Sequence, residues 1–118
     1  MNNKDESFPK SERLTKTHQF KRVYNQGNSI SNNLVVLYTL KRSSGNRRIG
    51  FSVSKKVGNA VVRNRIKRIL KEIYRRNKSE LINNIDLVFI ARQGISSASY
   101  QEIKNSVFDL FAKAKIMQ

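Results

Sequence analysis

The sequence predicts an α+β fold, a single-domain α-β sandwich in which helices pack on a mixed sheet. Three observations predict it. Apolar residues recur with helical spacing in three segments, two further segments have the pattern of strands, and a third apolar strand separates the last two helices. A strand–helix–strand passage predicts a parallel pair of strands. With 118 residues, the chain is long enough for one domain with a modest core.

The N-terminal segment, residues 1–12, is polar and contains the single proline of the chain. We expect a flexible tail there, followed by one domain at residues 13–118. A short helix opens this domain. Thr17 is a typical N-cap residue, and Gly27 stands where a helix commonly ends in a left-handed residue.

Two strand patterns follow the first helix. Residues 34–40 are β-branched, aromatic or leucine, and residues 48–54 alternate between apolar and polar positions. Because a turn cluster at residues 43–46 separates them, we expect these two strands to pair as a hairpin.

The second half of the chain alternates helix, strand and helix. Asn59 is a predicted N-cap, and the helix after it has one apolar stripe, formed by Val62, Ile66, Ile69, Leu70 and Ile73. Residues 85–91 are nearly all apolar, which predicts a strand buried on both faces. Ser99 and Glu102 fit a capping box for the last helix. Its predicted core face consists of Ile103, Val107, Leu110, Phe111 and Ala114.

The charge of the chain indicates a polyanionic partner. Lys and Arg number 24 against 8 acids, a formal net charge of +16. Nucleic acid is the favoured partner, and an anionic membrane surface is the alternative. No apolar run approaches the roughly 18 residues that span a bilayer, so we expect no membrane segment. The sequence has no cysteine and no signal-like N-terminus, which fits a cytoplasmic location.

The second helix concentrates this charge. At about 100° per residue, its apolar stripe faces one way, while Arg68 and Lys71 lie almost opposite and Arg63, Arg65 and Lys67 lie on the two flanks. The helix can therefore pack into a core and still direct guanidinium groups, which match phosphate bidentately, at a partner. Lysines and a glycine just before the helix add a candidate anion site at its N-terminus.

Aromatic residues lie near basic residues in the first helix and first strand. Phe20, Tyr24 and Tyr38 could stack the bases of single-stranded RNA, or they could be core residues. Spacing alone does not decide this for Phe20, whereas the phenols of the two tyrosines favour a surface position.

Catalytic patterns are missing from the sequence. His18 is the single histidine, and the eight acids form no paired-carboxylate or metal-binding motif. Because metal-dependent nucleases hold their ions with carboxylates, we expect no catalytic residue and no metal site in the protein itself.

Residues 52–68 resemble the signature of the protein subunit of bacterial ribonuclease P, with the sequence SVSKKVGNAVVRNRIKR. Two further segments resemble the same family, HQFKRVYNQGNSISN and IDLVFIARQG. The resemblance implies the order αβββαβα with a left-handed βαβ crossover. It also implies that a catalytic RNA, which holds most of the Mg²⁺, removes the 5′ leader of precursor tRNA in the cytoplasm.

The resemblance further implies that the protein is the non-catalytic subunit of this endoribonuclease and binds the leader in a cleft between the first helix and the sheet. By position, the leader-binding residues are Phe20, Tyr24, Tyr38, Lys55 and Lys56. The residues that face the catalytic RNA are Asn59, Arg63, Asn64, Arg65, Lys67 and Arg68. Val35 replaces an aromatic residue common in the family, so we expect different stacking at that end of the cleft.

The implied partners are ribonuclease P RNA and precursor tRNA, with no membrane and no stable protein partner. The alternative interpretation is a ribosomal or other structural RNA-binding protein, since basic α+β domains of this size are common among them. Composition does not separate the two interpretations, whereas the motif at residues 52–68 favours the first.

Overall fold

The structure is a computed structural model that describes residues 6–118. Among these residues the helices are α1 (Thr17–Gln26), α2 (Ala60–Asn77) and α3 (Tyr100–Ala114). The strands are β1 (Asn28–Ser31), β2 (Val35–Lys41), β3 (Arg48–Ser52) and β4 (Ile85–Ala91). The α+β fold class and the order αβββαβα are therefore confirmed. Residues 1–5 of the predicted tail lie outside the described residues.

The four strands form one mixed sheet in the order β1-β2-β4-β3. β4 runs antiparallel to β2 and parallel to β3, which confirms the parallel pair predicted across α2. The predicted hairpin between β2 and β3 is wrong, because β4 lies between them. β4 is buried at six of its seven positions and needs cover on both faces, which a central place in the sheet provides.

The two faces of the sheet are covered by different helices. On one face, Leu37 and Phe89 join the large core cluster that α2 and α3 close with residues such as Ile66 and Phe111. On the other face, Val23 of α1 packs with Val88 and Leu14 in a smaller cluster. The helix faces predicted from periodicity are those that the structure buries.

The helix ends agree with the predictions for α2 and α3 and differ for α1. The Asn59 side chain accepts a hydrogen bond from the Val62 amide at 3.0 Å, and Ser99 and Glu102 form the predicted capping box. For α1, the N-cap is Lys16 rather than Thr17. Gly27 follows the helix in an extended conformation, with φ −88°, and not in the predicted left-handed one.

The reason for glycine at position 27 is close packing. A Cβ there would lie 2.5 Å from the carbonyl oxygen of Thr39 and 2.6 Å from that of Val23. The chain can therefore turn from α1 into β1 only if this position has no side chain.

Part of the predicted N-terminal tail contacts the domain. The Phe8 ring packs edge-on against Phe51 and Tyr74, with centroid distances of 6.0 and 5.6 Å. Glu12 pairs with the buried Lys78 ammonium at 2.7 Å and accepts a hydrogen bond from the Tyr74 hydroxyl at 2.6 Å. These contacts attach residues 8–12 to β3 and α2.

Candidate RNA interface

A cleft forms where α1 crosses the sheet. The strand register places Tyr38, Val88 and Gly50 side by side in one row across β2, β4 and β3. The next row holds Val36, Ile90 and Ser52, which are half-buried. Because α1 covers the first row and leaves the second partly open, the second row forms the floor of a groove beside the helix.

Three predicted aromatic residues meet along this groove. The ring centroids of Phe20 and Tyr24 are 6.4 Å apart, and those of Tyr24 and Tyr38 are 5.0 Å apart in an edge-to-face arrangement. Tyr24 is 36% exposed, whereas Phe20 and Tyr38 are half-buried. The structure therefore brings together residues that are far apart in sequence and leaves ring surface open to a partner.

Local packing fixes the positions of these rings. Phe20 lies directly on Gly50, where a Cβ would stand 2.5 Å from the ring. Burial raises the pKa of Tyr24, and a hydrogen bond with the side chain of Ser52 partly offsets that rise. The phenol is therefore neutral at physiological pH and places no negative charge in a groove suited to RNA.

Val35 lies outside the cleft. Its side chain is fully buried in the core cluster closed by α2 and α3, on the opposite face of the sheet. The expectation that Val35 alters stacking at one end of the cleft is wrong, because successive strand residues point to opposite faces and Tyr38 marks the cleft face of β2.

The C-terminal ends of β3 and β4 add cations at one edge of the sheet. Lys55 and Lys56 follow β3 in a turn and are exposed. Lys56 lines a groove with Ser54 and Arg92, and Arg92 follows β4. Sequence reasoning missed Arg92, although its position directly after a buried strand that runs parallel to β3 was a usable signal.

The predicted residues of α2 divide into two groups. Asn64 and Arg68 are exposed, while Arg63, Arg65 and Lys67 are half-buried, as their predicted flank positions require. Asn59, just before the helix, uses its side-chain oxygen as the N-cap.

Two arginines of α2 are held by backbone carbonyls. Arg63 Nη1 donates to the carbonyl oxygen of Gly58 at 3.0 Å, and Arg65 Nη2 donates to that of Ser96 at 2.9 Å. Each contact engages one nitrogen of the planar fork and leaves other N–H groups for a partner. The guanidinium groups are thus positioned before any RNA binds.

Acidic residues do not balance the charge of this surface. Asp86 is 1% exposed and pairs with Arg48 at 2.8 Å and Arg42 at 3.2 Å, while Glu12 is engaged by Lys78. On α2, Glu72 pairs with Arg76 at 3.4 Å, near the far end of the helix. The first half of α2 therefore presents a positive surface.

Residues 6–118 contain no cluster of three His, Cys, Asp or Glu side chains that could hold a metal ion. In the same part of the chain, no helix is both long and apolar enough to cross a membrane.

Comparison with known proteins gives matches along most of the chain. The family model described as Ribonuclease P matches residues 8–115. The ribonuclease P protein component of Clostridium novyi is 48% identical over 107 residues, which cover 89% of this chain and 95% of that protein. That of Clostridium kluyveri is 51% identical over 104 residues, covering 86% and 93%.

A solved structure matches the fold as well. The RNase P protein of Staphylococcus aureus superposes with a TM-score of 0.86 at 37% identity, covering 92% of this chain and all of that one. At this coverage the shared fold extends over most of the chain.

Proposed function

The chain belongs to the ribonuclease P protein family, and from this premise we propose that it binds the 5′ leader of precursor tRNA and carries no catalytic group of its own. As the protein component of ribonuclease P, it is a subunit of an endoribonuclease, partners the ribonuclease P RNA and acts in tRNA 5′ processing. The match over residues 8–115 favours this function over that of a ribosomal protein.

The observation that carries the proposal is the aromatic cleft. Tyr24 exposes its ring between Phe20 and Tyr38, above a floor of half-buried residues. Stacking on aromatic rings beside a basic groove holds single-stranded RNA with about 1–3 kcal/mol per base. Lys55 and Lys56, at the edge of the same face, supply the cations that the leader phosphates require.

The catalytic RNA would contact the first half of α2 and the turn before it. The residues in this role are Asn59, Arg63, Asn64, Arg65, Lys67 and Arg68. Their support is geometric: the exposed and flanking positions form one surface, and backbone carbonyls hold two of the guanidinium groups in place. Such preorganisation lowers the entropy lost when phosphates bind.

We assign hydrolysis to the RNA, with Mg²⁺ held mainly by its phosphate oxygens, which are ligands that this ion prefers. The protein then contributes by positioning the substrate and neutralising phosphate charge near the scissile bond. A cytoplasmic location follows from this assignment to tRNA maturation.

Reconstitution with ribonuclease P RNA at low Mg²⁺ tests the proposal. The protein should raise the rate of cleavage of leader-bearing precursor tRNA over that of the RNA alone, because it neutralises phosphates and holds the leader. Lys113→Ala on α3 is a matched charge control and should retain the full effect. No gain over RNA alone would contradict the proposal.

A further inference from the structure

A second pocket lies on the other side of Phe20 from the tyrosines. It has a volume of about 190 Å³ and opens between the N-terminal segment, β3 and α2. Its walls are aromatic, from Phe8 and Phe20, and its floor includes Ile49 and Gly50. A cavity of about 150 Å³ accommodates a benzene ring, so this pocket has room for one planar base.

The rim of the pocket is cationic. Arg13, Lys67 and Lys71 line it, and no acidic residue does so among residues 6–118. Arg13 is fixed in place, since its Nε and Nη2 donate to the carbonyl oxygen of Phe8 at 3.1 and 2.6 Å and its guanidinium carbon lies 4.9 Å from the centre of the Phe8 ring. Rings surrounded by cations suit a nucleotide, which presents a flat base and a phosphate together.

The Phe8 wall is held firmly. Phe51 and Tyr74, which belong to the domain, pack edge-on against the Phe8 ring. The segment after Phe8 is pinned at the sheet edge, where the Leu14 amide donates to the carbonyl oxygen of Ile49 at 2.8 Å. The pocket therefore exists without a ligand and needs little ordering on binding.

The pocket continues the cleft. Phe20 belongs to both, because the centre of its ring lies 6.4 Å from that of Tyr24 and its edge rests on Gly50 in the pocket. An RNA leader that runs from the two tyrosines across Phe20 reaches the outer edge of β3 and then the lysines of α2. We propose that this pocket takes one base of the 5′ leader, upstream of the nucleotides at Tyr24 and Tyr38, with its phosphate on Lys71.

This inference rests on the proposed function, and abasic scanning of the leader tests it in the reconstituted holoenzyme. Precursor tRNAs with a single abasic site at successive leader positions are compared in affinity. We expect one position upstream of those at the tyrosines to lose about fivefold or more, as the loss of one stacked base predicts. No loss at any such position would overturn the proposal.

Protein variants test whether the affinity lost with the abasic leader arises in the pocket. Phe8→Leu should abolish the difference between the intact and abasic leaders, and Lys71→Ala should weaken binding only when the leader is long enough to reach the pocket. Lys113→Ala, which removes an equal charge far from the pocket, should leave both readouts unchanged. An abasic penalty that Phe8→Leu does not reduce would overturn the assignment.

A crosslinking experiment on the wild-type holoenzyme decides the matter if Phe8→Leu does not fold. A 4-thiouridine at the sensitive position should crosslink within residues 8–15 or 67–71, and crosslinks confined to α1 and β2 would overturn the proposal.

Different results contradict the pocket proposal and the proposed function. Equal affinity for leader-bearing and mature tRNA contradicts leader binding itself, whereas a preserved leader preference without an upstream abasic effect contradicts only the pocket.

Discussion

The Tyr24 ring offers a sharp test of leader stacking. Because Tyr24 is 36% exposed, roughly 130 Å² of its surface is already packed, and truncation to alanine would lower the free energy of unfolding by about 3 kcal/mol. Tyr24→Leu is the better change, since it keeps apolar volume against Phe20 and Tyr38 and removes the π face. Its loss of stability should be smaller than that of the alanine variant, because leucine keeps most of the packed apolar area.

The expected effect of Tyr24→Leu on binding follows from the stacking energy. One base on one ring contributes about 1–3 kcal/mol, which corresponds to a Kd about 5- to 160-fold weaker for leader-bearing precursor tRNA. Mature tRNA lacks the leader, so its Kd should stay within about twofold. Tyr24→Phe keeps the ring and should bind both substrates nearly as the wild type does.

The assay is an equilibrium titration of reconstituted holoenzyme with each substrate at one fixed salt and Mg²⁺ concentration. Unfolding of each variant in urea gives the stability correction. An equal loss for precursor and mature tRNA would refute the reasoning, because it would place the effect of Tyr24 in folding or assembly rather than in contact with the leader.

Three further changes have expected outcomes. Arg68→Ala should lower the slope of log affinity for the ribonuclease P RNA against log salt by about 0.7–0.9 for one lost phosphate contact, and an unchanged slope would argue against that contact. Gly50→Ala should displace the Phe20 ring, lower the free energy of unfolding by about 1–3 kcal/mol and weaken leader binding; wild-type binding would contradict the ring's role. Glu102→Gln should flatten the acid side of the stability profile in urea unfolding, since it removes a carboxyl whose pKa is lowered by hydrogen bonds from the Ser99 backbone and side chain. That carboxylate stabilises the fold fully above its usual pKa of 4.5, and the contribution is lost as pH falls through its lowered pKa in the folded protein, so an unchanged profile would contradict the cap.

Local sequence patterns predicted the elements of this fold well. The apolar segment at residues 85–91 is β4 to the residue, and the caps at Asn59 and Ser99 are present, because both signals depend on neighbours along the chain. The pairing of β2 with β3 was predicted wrongly, since pairing depends on which strand needs cover on both faces. That requirement compares residues 38 to 56 positions apart, which no local pattern expresses.

The site was predicted in part for the same reason. Residue type and helical angle identified the cations of α2, but the carbonyl contacts of Arg63 and Arg65 depend on tertiary structure. Phe8 was assigned to a flexible tail because its surroundings in sequence are polar. An isolated large apolar residue in such a segment is a signal for packing, and here its partners are two rings of the core.

The position of β4 determines whether the site exists at all. With β4 between them, β2 and β3 stand about 9–10 Å apart, twice the usual strand spacing, and Ile90 fills the gap as part of the floor of the cleft. A direct β2–β3 hairpin would halve that spacing and remove the floor. Tyr38 and Gly50 would then lie side by side under α1, with no groove between them. The parallel pairing of β3 with β4 also brings their C-terminal ends to one edge, where Lys56 and Arg92 meet. One choice of strand order therefore sets both the width of the base-stacking groove and the placement of its cations, and a chain with the same residues in a hairpin order would have neither.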